Sequence, residues 1–348
     1  VRIPLRMPGE LERYARQVRL DEIGEAGQRR LLDGHATIVG VGSLGCLSSE
    51  LLVRAGVGRI TLIDRDIVER SNLSRQTLFT EGDADAGLPK AEAARRRLAS
   101  INADIRIEAH TTDLNASNAE AMLDGADVIV DGVDTYDTRY LLNDVAVKRG
   151  VAYVHGGVVG SAGSMMVVRP GVTACMRCLE GSPPAPGSTP TCESAGVFGP
   201  AAAMVASLQA AMAMRVLLDH AIDPRLWRMA PLEDVSSSVS LEGARDPDCP
   251  CCARGVFEFL DADPEDAAHL CSGDSVQITP RSGVRLDLLD LASRLAADAE
   301  VSLTPYYVRG RLREYDASLT VFPDARVIVS GVHSVEDARR LHARYIGG

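Results

Sequence analysis

Three groups of residues in this chain have the types and spacing for chemistry. The first is Gly40-Val-Gly42-Ser-Leu-Gly45. Glycines let a backbone turn sharply and approach a phosphate, and a helix opening there presents free N–H groups and its positive dipole end. Asp64 closes the next apolar run, where a carboxylate can accept hydrogen bonds from ribose hydroxyls. The second group is Asp66, Asn72, Arg75 and Lys90, with Arg16 upstream. A nicotinamide cofactor carries only a bridging diphosphate, whereas a triphosphate and its pyrophosphate leaving group call for several cations. Asp134, after the run Asp127–Asp131, is a candidate Mg²⁺ ligand, since that ion takes a few carboxylates together with phosphate oxygens. The third group is Cys175-Met-Arg-Cys178 with Cys249-Pro-Cys251-Cys252. Two cysteine pairs of this spacing suit a tetrahedral Zn²⁺ held by four thiolates; Cys251 could replace Cys249, although the spacing favours Cys249 and Cys252.

Cys192 differs from these. It follows Gly181–Pro190, a stretch with four prolines, and precedes an uncharged run. A loop there, spanning about residues 180–192, can carry a thiolate to a reacting centre, and a helix N-terminus would lower its pKa. Cys46 reads as packing, and Cys271 has no assignment.

The elements that must position these groups follow from the hydrophobic pattern. Ala36–Val41, Arg59–Asp64, Ile105–Ala109, Asp127–Asp131, Val151–His155 and Ser164–Val168 read as strands. Ser43–Ala55 and Ala91–Ser100 read as helices between them, and residues 10–33 read as helical. Strands alternating with helices imply an α/β fold: a doubly wound, Rossmann-like, mostly parallel sheet. Past Cys252 the texture changes. Leu286–Ala297 and Ser334–Tyr345 read as helices, Val301–Leu312 and Ser318–Ser330 as strands. The expected organisation is therefore a nucleotide-binding domain over 1–254 and a small α+β domain over 255–348.

Composition narrows the class. With 48 acids against 37 bases the formal net charge is −11, which disfavours nucleic acid or an anionic membrane as partner. Eight cysteines are too few for a disulfide scaffold in a chain of 348 residues. Val1–Glu10 shows no signal-peptide pattern, and a reducing cytoplasm is the expected compartment. Ala195–Met214 is 20 residues without a charge, about the minimum spanning length, yet it holds Pro200, Ser207 and Gln209 and reads as a buried helix.

Several segments together resemble the ThiF/MoeB-type adenylyltransferases of sulfur-carrier pathways, relatives of ubiquitin-activating enzymes. They are RYARQ (13–17), GVGSLG (40–45), IDRDIVERSNLSRQTLF (63–79), LPK (88–90), DGVDTYDTR (131–139), CMRC (175–178), TCESAGVFGP (191–200) and CPCC (249–252), in family order. The resemblance implies binding of MgATP and adenylation of the C-terminal glycine carboxylate of a small ubiquitin-like sulfur carrier ending in Gly-Gly. It implies that Asp64 holds the ribose, Arg75 and Lys90 the phosphates, and Asp134 magnesium. It implies that Arg16 reaches the γ-phosphate of ATP in the partner subunit, which requires a homodimer. It also implies that the two cysteine pairs share one zinc and that the thiol at 192 can form a thioester or acyl-disulfide. Thr135 departs from the asparagine of many relatives. Some relatives carry a sulfur-donating rhodanese domain; this tail has no cysteine-centred loop of that kind, so a separate sulfur donor is expected.

Competing readings are weaker. Peptide adenylation in natural-product modification goes with a peptide-clamping domain before the glycine loop, where this chain has few residues. A nicotinamide oxidoreductase leaves Arg16, Arg75, Lys90 and both cysteine pairs unexplained, and a catalytically dead zinc scaffold would not keep the nucleotide-site residues. The Gly347-Gly348 end mimics a carrier tail, but it follows a helix-like segment and reads as a plain terminus.

Overall fold

A computed structural model describes residues 9–185, 188–262, 267–269, 275–279 and 285–347. Cys271 and Gly348 lie outside them, as do most of Val1–Glu10 and two residues of the proline-rich loop. The chain divides into two compact units, Val1–Ala262 and Asp263–Gly348. Residues 255–262, expected at the start of the tail, belong to the first unit: Phe257, Phe259 and Leu260 pack in its second core layer, with Phe259 against Tyr140 at 4.9 Å between ring centroids.

The first unit is built on an eight-stranded sheet: β1 His35–Val39, β2 Arg59–Ile63, β3 Arg106–His110, β4 Val128–Asp131, β5 Ala152–Val159, β6 Ala162–Val168, β7 Arg225–Ala230 and β8 Val235–Ser240. Its order is β3-β2-β1-β4-β5-β6-β7-β8. The pairs from β3 to β5 are parallel, and those from β5 to β8 antiparallel. The inner parallel strands β1, β2 and β4 are almost wholly buried because both faces are covered, whereas the edge strand β3 is partly exposed. Alternate residues serve opposite layers. Ile38, Leu62, Val130 and Val154 join one core cluster, whereas Val39, Ile63, Ile129 and Tyr153 join the other. Helices Ser43–Ala55, Lys90–Ile101 and Gly199–Leu217 contribute to the first layer, and Tyr136–Arg149 to the second.

Strand order reverses between β1 and β4, and in open α/β sheets such a switch point is where ligands bind, beyond the carboxyl ends of the strands. Among the described residues one helix, Gly199–Leu217, is long and apolar enough to cross a membrane. Its Ala202, Val205, Ala206, Gln209, Ala210 and Ala213 are instead buried in this unit.

Two expectations are corrected here. Residues 10–33 are not one helix: a 3₁₀ segment Gly9–Tyr14 is followed by turns, and the α-helix starts at Gly24, whose φ of +60° breaks any continuous run. In the second unit each long strand of the tail is a hairpin. The described strands are β9 Ala267–His269, β10 Ser275–Ile278, β11 Ala299–Leu303, β12 Val308–Leu312, β13 Ser318–Val321 and β14 Val327–Ser330, in one antiparallel sheet of order β11-β12-β13-β14-β10-β9. Pro305 and Pro323 stand in the two turns, where a missing N–H costs no ladder bond. Thr304 Oγ1 accepts from Tyr306 N at 3.2 Å and Tyr307 N at 3.1 Å, fixing the first turn. Helices Leu288–Leu295 and Val335–Tyr345 bury Leu291, Leu295, Ala338 and Leu341 in the core of this unit.

Candidate functional site

The glycine loop sits at the switch point because three glycines are packed against one another. Gly40 follows β1 with φ +83°, and a Cβ there would lie 2.5 Å from the Gly132 carbonyl carbon. A Cβ on Gly45 or on Gly132 would run into the Gly40 carbonyl oxygen. Gly42 caps the helix Ser43–Ala55 with no side-chain bond, so the first helical N–H groups have no capping side chain to satisfy them. Gly132→Ala is therefore expected to cost about 3 kcal/mol, because backbone, not a movable side chain, occupies the space. A denaturant midpoint equal to that of the parent would contradict this.

Asp64 follows β2 and is 8% exposed. Its Oδ2 accepts from Val41 N at 2.6 Å and its Oδ1 from Asp66 N at 2.7 Å, which ties the end of β2 to the glycine loop. Burial pushes this carboxyl up to about 6, against the pull of Lys90. Lys90 Nζ, itself buried, donates to Asp66 Oδ2 at 2.8 Å. Burial works against the Lys90 charge, but Asp66, Asp64 and Asp134 outweigh it and hold the ammonium above the ordinary lysine range. Asp134 itself is exposed just past β4. Asp64, Asp66, Lys90 and Asp134 thus form one charged group at the carboxyl ends of β2 and β4.

The raised acid sets a pH window. Asp64 binds a proton in the folded protein at pH values where the unfolded chain has lost it, so it contributes stability that falls as pH rises toward about 6. Accepting ribose hydroxyls requires the ionised form. Nucleotide affinity is expected to weaken about tenfold between pH 7 and pH 5, following the ionised fraction. Titration calorimetry with ATP would reveal it, and a flat profile would exclude Asp64 as the titrating acceptor.

The remaining site residues are placed less uniformly. Asn72 is buried, but its Oδ1 accepts from Glu69 N at 3.0 Å, so the side chain shapes the turn 69–72. Arg75 donates to Ser71 O at 2.9 Å and lies beside Gly199, at the start of the long alanine-rich helix. Arg16 is exposed between two anchors. Tyr14 OH accepts from Asn102 Nδ2 at 2.8 Å, and Gln17 Nε2 donates to Ala55 O at 2.9 Å. Cys192 opens a one-turn helix, Cys192–Ala195, capped by Thr191. Gly160 N donates to Gly196 O at 2.9 Å and Phe198 N to Gly160 O at 2.7 Å, so this segment is pinned to the end of β5 just before Gly199.

The four cysteines of the third group do converge. Cys175, Cys178, Cys249 and Cys252 have all their sulfurs within 4.8 Å of one another. The separations of 3.8 Å (175–178), 3.6 Å (175–249) and 3.4 Å (178–252) approach the roughly 3.8 Å edge of a Zn–S₄ tetrahedron. The donor set and spacing fit zinc. Cys251 is outside this group: Asn143 Nδ2 donates to its sulfur at 3.4 Å, while Asn143 Oδ1 accepts from Met176 N at 2.9 Å, so one side chain links both knuckles. Cys46 is fully buried and its thiol is pushed up to about 12 by burial, consistent with packing.

Sequence reasoning missed two side chains here. Gln76 is buried, its Oε1 has no hydrogen-bond partner among the described residues, and its amide nitrogen faces Gly42. Asp131 is fully buried, and Arg139 lies against it. Both fall inside the family-like segments, but nothing in their spacing separates a buried role from a surface one.

The comparisons agree with this geometry. The model of the ThiF family matches residues 14–251. The chain is 38% identical over 337 residues to the sulfur carrier protein ThiS adenylyltransferase of Bacillus subtilis, covering 96% of this chain and 99% of the relative. It is 38% identical to the SAMP-activating enzyme E1 of Haloferax volcanii, covering 72% and 92%. Among solved structures it resembles E. coli MccB with ATP, with TM-score 0.60 and 26% identity over 71% of this chain and 76% of that one. A glycine loop at a strand-order switch, a buried acid–lysine group beside it and a match across two thirds of the sequence lead to one conclusion: the chain belongs to the ThiF family.

Proposed function

We propose that this protein is an adenylyltransferase that activates the C-terminal glycine of a small ubiquitin-like sulfur carrier with ATP. The carrying observation is the group at the switch point, where Asp64, Asp66, Lys90 and Asp134 converge beside the glycine loop. The whole-length similarity to the Bacillus enzyme supports the carrier as substrate.

The chemistry needs little from the protein except placement. A C-terminal carboxylate has a pKa near 3.5 and is already ionised, so no general base is required. One carboxylate oxygen attacks the α-phosphorus, the bond to the bridging oxygen breaks, and pyrophosphate leaves. Arg75 and Lys90 would neutralise the phosphates, and the glycine loop would bind them through backbone N–H groups. Asp134, exposed and facing the same charges, suits a magnesium ion, which would offset phosphate charge when bound. The four cysteines would hold zinc as a closed structural site.

Further parts of the reading rest on the family. Arg16, projecting from an anchored segment, would serve ATP in the partner subunit of a homodimer. Exposed Met204 on the long helix and Val159 at the end of β5 offer apolar surface for such an interface. Cys192 would act after adenylation, with sulfur from a separate donor. Free thiolates for zinc suit a reducing cytoplasm. A second reading, adenylation of a peptide, is favoured only by the likeness to MccB.

The test is ATP–[³²P]pyrophosphate exchange with carriers ending in Gly-Gly. Exchange that depends on the carrier is expected. No exchange with any carrier, combined with NAD(H) binding, would overturn the reading. Removing Gly347 and Gly348 is expected to leave exchange with added carrier unchanged.

A further inference from the structure

Asp134 is exposed at the end of a short loop, yet a carboxylate that must meet a metal has to be held to within about half an ångström. Among the described residues no hydrogen bond to its own side chain supplies that precision. The backbone before it does. Val133 N donates to Asp131 Oδ1 at 2.9 Å, and Val133 O accepts from Arg139 Nη2 at 2.9 Å. Both polar groups of the residue preceding Asp134 are therefore held by one ion-paired couple, Arg139 and Asp131, at 3.5 Å.

The couple is itself fixed from every side. Asp131 Oδ2 accepts from Tyr153 OH at 2.7 Å and pairs with His155 Nδ1 at 2.8 Å. The Asp131 carbonyl accepts from Gln209 Nε2 at 2.7 Å, and Gly132 N donates to Val39 O at 2.7 Å. Gly157 has no side chain where a Cβ would come within 3.3 Å of the Arg139 guanidinium. The Asp131 side chain is 0% exposed and that of Arg139 11%, so neither competes for the nucleotide. Burial opposes the Asp131 charge, but Arg139 and His155 outweigh it and hold the carboxyl below its ordinary range.

We propose that Asp131 and Arg139 are positioning residues that clamp the Val133 backbone and thereby aim Asp134 at the metal of the nucleotide complex. This rests on the metal role proposed above for Asp134. With Gly132 already hydrogen-bonded to Val39, the clamp on Val133 extends that order one residue further and turns an exposed loop carboxylate into a defined ligand.

The test uses the full chain and measures two things: Mn²⁺ binding to the ATP complex by electron paramagnetic resonance, which should weaken in the variants, and carrier-dependent pyrophosphate exchange as Mg²⁺ is varied at saturating ATP. Arg139→Gln and Asp131→Asn are expected to raise the Mg²⁺ concentration for half-maximal exchange about tenfold or more, as for other residues that orient a metal ligand. KM for the carrier should change less than about twofold. In an Asp134→Asn background the same replacements should add nothing, because coupled residues are non-additive. Should Arg139→Gln not fold, Tyr153→Phe, which removes one bond to Asp131, should shift Mg²⁺ dependence in the same direction. A lower kcat with unchanged Mg²⁺ dependence, or effects additive with Asp134→Asn, would overturn the clamp. An Asp134→Asn variant with the parent's Mg²⁺ dependence would instead overturn the metal reading itself.

Discussion

Asp134→Ala is expected to lower carrier-dependent ATP–pyrophosphate exchange by about 10³-fold, the scale on which phosphoryl chemistry loses a charge-stabilising centre. Cys192→Ala is expected to leave exchange within about twofold of the parent and to impair only later transfer from the adenylate. The contrast follows from position. Asp134 shares a charged group with Lys90, Asp66 and Asp64, the group proposed to hold the nucleotide before pyrophosphate leaves. Cys192 lies on a separate one-turn helix pinned to the end of β5. A cysteine variant that also loses exchange would show that the thiol acts in the first step. An aspartate variant that keeps exchange would remove Asp134 from the chemistry.

The second large effect concerns the cysteine centre. Cys249→Ser is expected to abolish stoichiometric zinc and to destabilise the protein by more than about 4 kcal/mol, since metal affinity at a structural site is folding free energy. The knuckles are far apart in sequence, and a zinc ion held by all four thiolates would close the loop between them. Cys251→Ala is expected to retain zinc, because its sulfur lies outside the ligand group and bonds to Asn143. Elemental analysis together with thermal unfolding separates the two variants. Equal zinc content in both would mean that Cys251 can replace Cys249. An unfolding midpoint unmoved in Cys249→Ser would mean that no metal supports this fold.

Some of this protein was legible in its residues alone. The glycine loop, the acid after the second strand and the two cysteine pairs could be placed because their chemistry depends on local spacing. The helix Ser43–Ala55 was legible to the residue because glycines bound it at both ends. Both hairpins of the tail were hidden, since each long apolar stretch reads the same whether straight or folded back at a proline.

The tertiary structure decided everything that depends on distant partners. Asn72 is a candidate nucleotide ligand by type and position, and only the fold shows that its amide oxygen accepts from Glu69 N. Asp131 and Asp134 are indistinguishable by type, yet one is sealed under Tyr153, His155 and Arg139 while the other is exposed. Local spacing sets which backbone groups a residue can reach, and that much is written in the sequence. Burial and the charges across the sheet set whether a carboxylate supports the loop or serves the ligand, and those come only from the fold.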